Sequence, residues 1–249
     1  GDPRRPGNGD NRSADRLGSG AMARARAASE KARPGRPKGG SSEETHDRIV
    51  RAARRVFAEQ GYANARNRQI ADEAEVTTAT LYHYFQSKLD LYVTVFRASE
   101  RELAETYAAA AKAGSLVAQL DALFDGSLAL HERDESLLVF LAGTAREMRS
   151  DEELARAIAR CPVRTDRILS DLLRRAEARG ELPAGTDVDA VVTLLLALTS
   201  GVSLYASFLG DRSYPRMIGA LREMVHAKLR PTPEAAPRRA RRTRPPSGR

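Results

Sequence analysis

Hydrophobic residues recur along this chain at three- and four-residue intervals, the spacing of one face of an α-helix, over nearly everything between Ser41 and Val225. Ser41 with Glu44 makes a capping box that opens a first helix. Ile49, Ala53, Val56 and Phe57 form its apolar side, and Gly61 suits the position just past its end. Arg48, Arg51, Arg54 and Arg55 fall on its other sides and read mostly as a solvated face, with one near the N-terminus able to meet a phosphate.

The stretch RQIADEAEVTTATLYHYFQSK, Arg68 to Lys88, carries two shorter apolar stripes: Ile70, Ala71 and Ala74, then Leu81 and Phe85. That spacing predicts two short helices joined by a tight turn, a helix-turn-helix, with Thr77 as the N-cap of the second. With Leu81 and Phe85 turned inward, Thr78, Ala79, Tyr82 and His83 share the outward face. A helix with small residues first and aromatic donors next can enter a DNA major groove. Ser87 with Asp90 caps a fourth helix, whose apolar side continues through Leu89, Leu91, Val95 and Leu103. From Gly114 the pattern predicts five more helices, one of them possible to break at Pro162.

The segments IADEAEV and LYHYFQSKLDL resemble the TetR family of bacterial transcriptional regulators, specifically over about Thr45 to Val95 and elsewhere in the arrangement of helices. By that resemblance Arg68, Thr78, Tyr82, His83 and Lys88 fall on positions that touch DNA; Thr77 and Ala79 join them at the start of the recognition helix. Arg68 and Thr78 are the candidates for base edges, Tyr82 for base or phosphate, and His83 and Lys88 for phosphates. Two departures from the family pattern stand out. Glu75 replaces the usual turn Gly, and Arg66 with Asn67 replaces the usual Ser/Thr pair, leaving Asn67 as the expected cap. The resemblance also implies that the fourth helix links the DNA-binding part to a ligand-binding part without a flexible linker, and that a small apolar effector regulates binding. Tyr107, Phe124, His131, Phe140 and Thr144, with Glu147, are candidate pocket residues, although core packing accounts for the aromatics equally well.

Ala190 to Leu209 is a run of 20 uncharged residues, long enough to span a membrane. Its Thr, Ser and Gly content and its mid-chain position favour a helix buried on several sides. In the family the last two long helices form a four-helix dimer interface, so a homodimer is expected, with Met217, Ile218, Leu221, Met224 and Val225 on the partner helix.

Charge divides the chain. Residues 1–42 and 229–249 each carry a net +6, whereas 43–228 carries −4. Both ends lack hydrophobic period and are expected to be disordered basic arms. Within the first, ARPGRPKGG places Arg33, Arg36 and Lys38 between Pro and Gly, similar to a minor-groove hook; a merely solubilising tail is the equal alternative. The motif region, 43–90, has seven Lys and Arg against eight acids, so binding there must depend on a few placed contacts. The single cysteine, Cys161, and the absence of a signal-type apolar run fit a reducing cytoplasm. The chain begins with Gly, and Met22 is a candidate natural start, which leaves open whether residues 1–21 are native.

The four histidines show no metal-ligand spacing, and no phosphate loop or nucleophile motif is present, so no enzyme, metal or cofactor is expected. The expected fold is all-α: a basic arm (1–42), a three-helix DNA-binding domain (43–88), a larger helical ligand-binding and dimerisation domain (89–229) and a basic tail (230–249). The expected function is a cytoplasmic, homodimeric DNA-binding regulator, a repressor released from a palindromic operator by a small effector, with no membrane partner. The alternative is a helical protein-interaction module without sequence-specific DNA binding.

Overall fold

Six of the ten helices described begin at a Ser, Thr or Asp whose side chain accepts a backbone N–H of the first turn, the local signal that sets their starts: Thr77, Ser87, Ser115, Asp134, Asp151 and Asp187. The computed structural model describes residues 41–183, 185–210 and 212–229. The basic arm with Arg33, Arg36 and Lys38 and the C-terminal tail lie outside them.

The helices are α1 (Ser42–Asn64), α2 (Asn67–Glu73), α3 (Thr78–Tyr84), α4 (Lys88–Ala110), α5 (Leu116–Arg133), α6 (Glu135–Ser150), α7 (Glu152–Ala159), α8 (Thr165–Ala178), α9 (Val188–Leu209) and α10 (Ser213–Leu229). No strand occurs among the described residues. Six helices follow Gly114 rather than five, because the expected long helix ends at Ala159 and resumes at Thr165, past Pro162, which cannot supply a helical N–H. Gly61 breaks α1 internally at φ +75°, and a final turn runs on to Asn64.

Residues 44–229 belong to one compact unit with two buried clusters. The first joins Ile49, Phe57, Ile70, Leu81 and Phe85 of the motif helices to Tyr92 and Val95 of α4, and also to Phe140 of α6 and Leu154 of α7. The second fills the body between α4, α5, α8, α9 and α10. Residues of α6 and α7 thus share a core with the helix-turn-helix, which leaves no flexible joint between the two parts. Glu100, buried in α4, stitches the body from within: its Oε1 accepts the N–H groups of Arg164 and Thr165 and the Thr165 hydroxyl, capping α8, which has no side-chain cap of its own.

Candidate nucleic-acid interface

Leu81 of α3 and Phe85 at its C-cap are buried against Ile70 and Ala71 of α2, which pins the second short helix across the first. Thr77 Oγ1 accepts the Thr80 N–H at 3.0 Å and fixes where α3 starts. The turn before it closes with Glu75 N–H donated to the Asp72 carbonyl and Val76 N–H to the Ala71 carbonyl, the paired bonds of a Schellman end. Its left-handed position is Glu75, at φ +53°. The motif therefore keeps the turn that the family builds with glycine, at a steric cost that glycine would not incur.

This frame presents Thr77, Ala79, Tyr82 and His83 as exposed residues, with Thr78 half-buried between them. Arg68 on α2 extends into solvent with its side chain 88% exposed, and only a loose 4.0 Å approach to Asp72 restrains it. Asn67 does not cap α2. The cap position is Arg66, whose N–H is accepted by Gln69 Oε1 at 3.1 Å, and Asn67 is the first helical residue. The Asn67 amide instead donates to the Tyr82 hydroxyl at 3.1 Å, tying the start of α2 to the outer face of α3 and orienting the most prominent ring on that face.

Lys88, expected on a phosphate, is turned the other way. Its Nζ donates to the carbonyls of Tyr62 at 2.7 Å, Ala63 at 3.2 Å and Ala65 at 3.2 Å, and lies 4.7 Å from the centre of the Tyr62 ring. An ammonium has three donors, and all three are engaged on the chain segment that enters α2. Lys88 thus acts here as a fastener between the end of α1 and the start of α4. Sequence reasoning missed this because the partners are backbone atoms 23 to 26 residues away.

Arg54, expected on a solvated face, is 3% exposed. Its guanidinium donates to Glu102 at 2.9 Å and Asp134 at 2.5 Å, and Arg133 also reaches Glu102 at 2.7 Å. Asp134 is the N-cap of α6 as well, accepting the Ser136 N–H. One buried cation of α1 is therefore paired with α4 and with the start of α6. At the other end of α6, Glu147 accepts the Tyr62 N–H at 3.2 Å, and a Cβ on Gly61 would come within 2.7 Å of its Oε1. That carboxylate is the end of a flexible side chain and could shift, so what requires glycine is the backbone at φ +75° and ψ 170°.

The five candidate pocket residues are not brought together. Tyr107 and Phe124 line a small pocket of about 20 Å³ in the body, with Leu120, Ser127, Leu195 and Thr199. Burial raises the pKa of Tyr107 and keeps its phenol neutral. His131 stacks on Tyr214 with ring centres 4.2 Å apart, a packing role. Phe140 and Thr144 sit in the other core: Thr144 Oγ1 is 3.2 Å from the Tyr92 hydroxyl, and Phe140 packs on the Tyr92 ring. Cys161 is a free, buried thiol. Among the described residues no group of three His, Cys, Asp or Glu side chains could hold a metal ion.

Two family models match the chain: bacterial regulatory proteins of the tetR family over residues 49–95, and the tetracyclin repressor-like C-terminal domain over residues 110–205. Among curated proteins it is 28% identical to the HTH-type transcriptional repressor BepR of Brucella suis over 174 residues, 64% of this chain and 78% of BepR. It is 27% identical to the HTH-type transcriptional repressor KstR of Mycobacterium tuberculosis over 152 residues, 61% of this chain and 55% of KstR. Among solved structures, FadR from Bacillus subtilis in complex with stearoyl-CoA superposes with a TM-score of 0.61 at 22% identity, over 74% of this chain and 98% of that one. Salmonella enterica GusR gives 0.56 at 26% identity, over 76% and 97%.

Proposed function

The chain belongs to the TetR family and is a DNA-binding transcriptional regulator, and from that premise we propose that it acts in the cytoplasm as a homodimeric repressor released from a palindromic operator by a small apolar effector. The observation that carries the DNA-binding half is the exposed face of a helix-turn-helix whose inner face is fully packed. Arg68 and Thr78 read base edges, Tyr82 is held by Asn67 for a base or phosphate contact, and Thr77, Ala79 and His83 complete the surface. Lys88 contributes by holding the entry to α2 in register rather than by touching DNA.

Dimerisation is supported by α9 and α10. Leu194, Leu198, Tyr205, Phe208 and Leu209 follow one stripe of α9 and are exposed, as is Met224 on α10. Among the described residues α9 is the one helix long and apolar enough to cross a membrane, yet its outward residues form a stripe rather than a uniform surface. A stripe of that kind on a soluble regulator calls for a second copy. Pairing two copies sets the recognition helices about 34–36 Å apart, one turn of DNA.

The effector half is supported by the Tyr107–Phe124 pocket, which has the apolar lining of a ligand site and room for roughly one water, so an effector there would have to displace side chains of the body core. FadR, of the same fold, was solved with stearoyl-CoA. The test is a fluorescence-anisotropy titration with DNA from upstream of the gene against a scrambled duplex at two salt concentrations. Specific binding should exceed non-specific by roughly 10³ or more. Equal binding of both duplexes by the chain with and without its basic ends would reject sequence-specific regulation.

A further inference from the structure

The bond between Asn67 and Tyr82 has a direction, and the direction limits what Tyr82 can read. Asn67 Nδ2 is an amide nitrogen and can only donate, so at 3.1 Å it takes the accepting side of the Tyr82 hydroxyl. The phenol makes no other hydrogen bond among the described residues, and its own O–H is left for the outer face. The other end of the amide, Asn67 Oδ1, is shielded from solvent and has no partner in the chain. Buried N–H groups without partners are rarer than under-satisfied carbonyls, so the reversed amide, with its NH2 in that place, is disfavoured.

The position of the ring favours a base over a phosphate. A helical side chain leans back over the turn before it, so Tyr82, 53% exposed, covers the first turn of α3, the end of a recognition helix that reaches base edges. In the major groove guanine presents N7 and O6, adenine N7 and thymine O4 as acceptors, whereas cytosine presents its N4 amine, a donor. A hydroxyl free to turn either way could serve all four. With Asn67 on the accepting side of the oxygen, the side turned to DNA carries the hydrogen and suits an acceptor. Seating the ring on a base also displaces the water that competes for the Asn67 bond in the free chain, so the polarity is enforced where it is used.

We propose that Asn67 determines base preference through Tyr82: it fixes the phenol as a hydrogen-bond donor, so that the chain accepts guanine, adenine or thymine and rejects cytosine at the base Tyr82 meets. Asn67 is a positioning residue in this scheme, and the scheme rests on sequence-specific operator binding.

The test is selection of binding sites from a pool of random duplexes by the full chain and its variants, with base frequencies at every operator position read by sequencing. Tyr82→Phe should remove the bias against cytosine at one position of each half-site and leave the other positions as they were. Asn67→Ala should admit cytosine at that same position, narrowing the discrimination by about fivefold. Asn67→Asp goes further. It is isosteric, an acid in the first turn suits a helix start, and a carboxylate can only accept. The phenol must then donate inwards and show DNA a lone pair, so the preference should invert towards cytosine N4 or adenine N6 and against guanine and thymine. A general loss of affinity from the added charge cancels, because frequencies are compared within one variant. A role of Asn67 in folding alone would weaken all sites alike and would not move the frequencies at a single position. If the parent enriches no sequence, the operator reading fails and this one with it. If the parent enriches a motif that Tyr82→Phe leaves unchanged, or if both Asn67 variants select the parent's motif, the operator reading stands and the assignment of Asn67 is overturned.

Discussion

Replacing Lys88 with methionine separates a fastener from a phosphate contact. Methionine keeps most of the apolar stem and removes the ammonium, so three carbonyls, of Tyr62, Ala63 and Ala65, lose their donor together. A hydrogen bond to a charged group is worth about 1.5–3 kcal/mol net, but the side chain is only half-buried, and water can replace part of what is lost at the exposed Ala63 carbonyl. Loss of the contact with the Tyr62 ring adds about 0.5–1 kcal/mol. The expected total is about 2 kcal/mol, read as a lower urea midpoint at fixed protein concentration. In operator titrations over a salt series, the slope of log K against log salt should stay as in the parent, because no phosphate partner has been removed. A lysine that neutralised one phosphate in each protomer would instead reduce the slope for the dimer by about 1.8 and leave the urea midpoint alone. That second pattern would refute the fastener reading.

Arg54→Met should cost about 3–5 kcal/mol in urea unfolding, since it leaves Asp134 and one side of Glu102 without their buried cation; a loss near that of a surface arginine would return Arg54 to the solvated face. Glu75→Gly should raise stability by about 1 kcal/mol by relieving the left-handed strain at φ +53°, and a lower urea midpoint would count against that strain. Burial pushes the Tyr92 phenol up to about 12 from 10.0, so its neutral form is favoured in the folded chain. The stability it contributes is complete below pH 10 and is lost as pH rises from 10 towards 12, by about 2–3 kcal/mol. Tyr92→Phe should flatten that part of the alkaline fall, while Tyr107 and Tyr214, also raised by burial, retain theirs.

What the sequence disclosed was governed by the distance to each partner. Thr77 and Ser87 were readable as helix starts because a cap bonds an N–H three residues on. The inward turn of Leu81 and Phe85 and the demand on Glu75 followed from the same short range. Asn67 was misplaced by one residue, because Gln69 closes back on Arg66 and makes that residue the cap. Arg54 and Lys88 were illegible in their real roles: their partners lie from 23 to 80 residues away, and no spacing rule distinguishes a solvated arginine from a buried one. The candidate pocket scattered for a related reason. Residue type marked Tyr107, Phe124 and Phe140 as core-forming, but not which of two cores each would join.

Those long-range contacts form one mechanical chain. Of the two ties between α6 and α1, the Arg54–Asp134 pair is buried and charged on both sides, whereas the Tyr62–Glu147 bond is a single 3.2 Å contact from a backbone N–H to a carboxylate that Arg146 also holds. Force applied between the helices should therefore open the Gly61 end first and pivot about Arg54. Tyr62 cannot move alone, because its carbonyl and that of Ala65 are held by the Lys88 ammonium, and Ala65 leads directly into α2. A displacement that begins at Glu147 thus reaches the helix that carries Arg68, and reaches Tyr82 through Asn67. With Lys88→Met in place the same opening should be absorbed in the Tyr62–Ala65 segment. The effect on operator affinity of any ligand that opens that end should then shrink even though its binding does not.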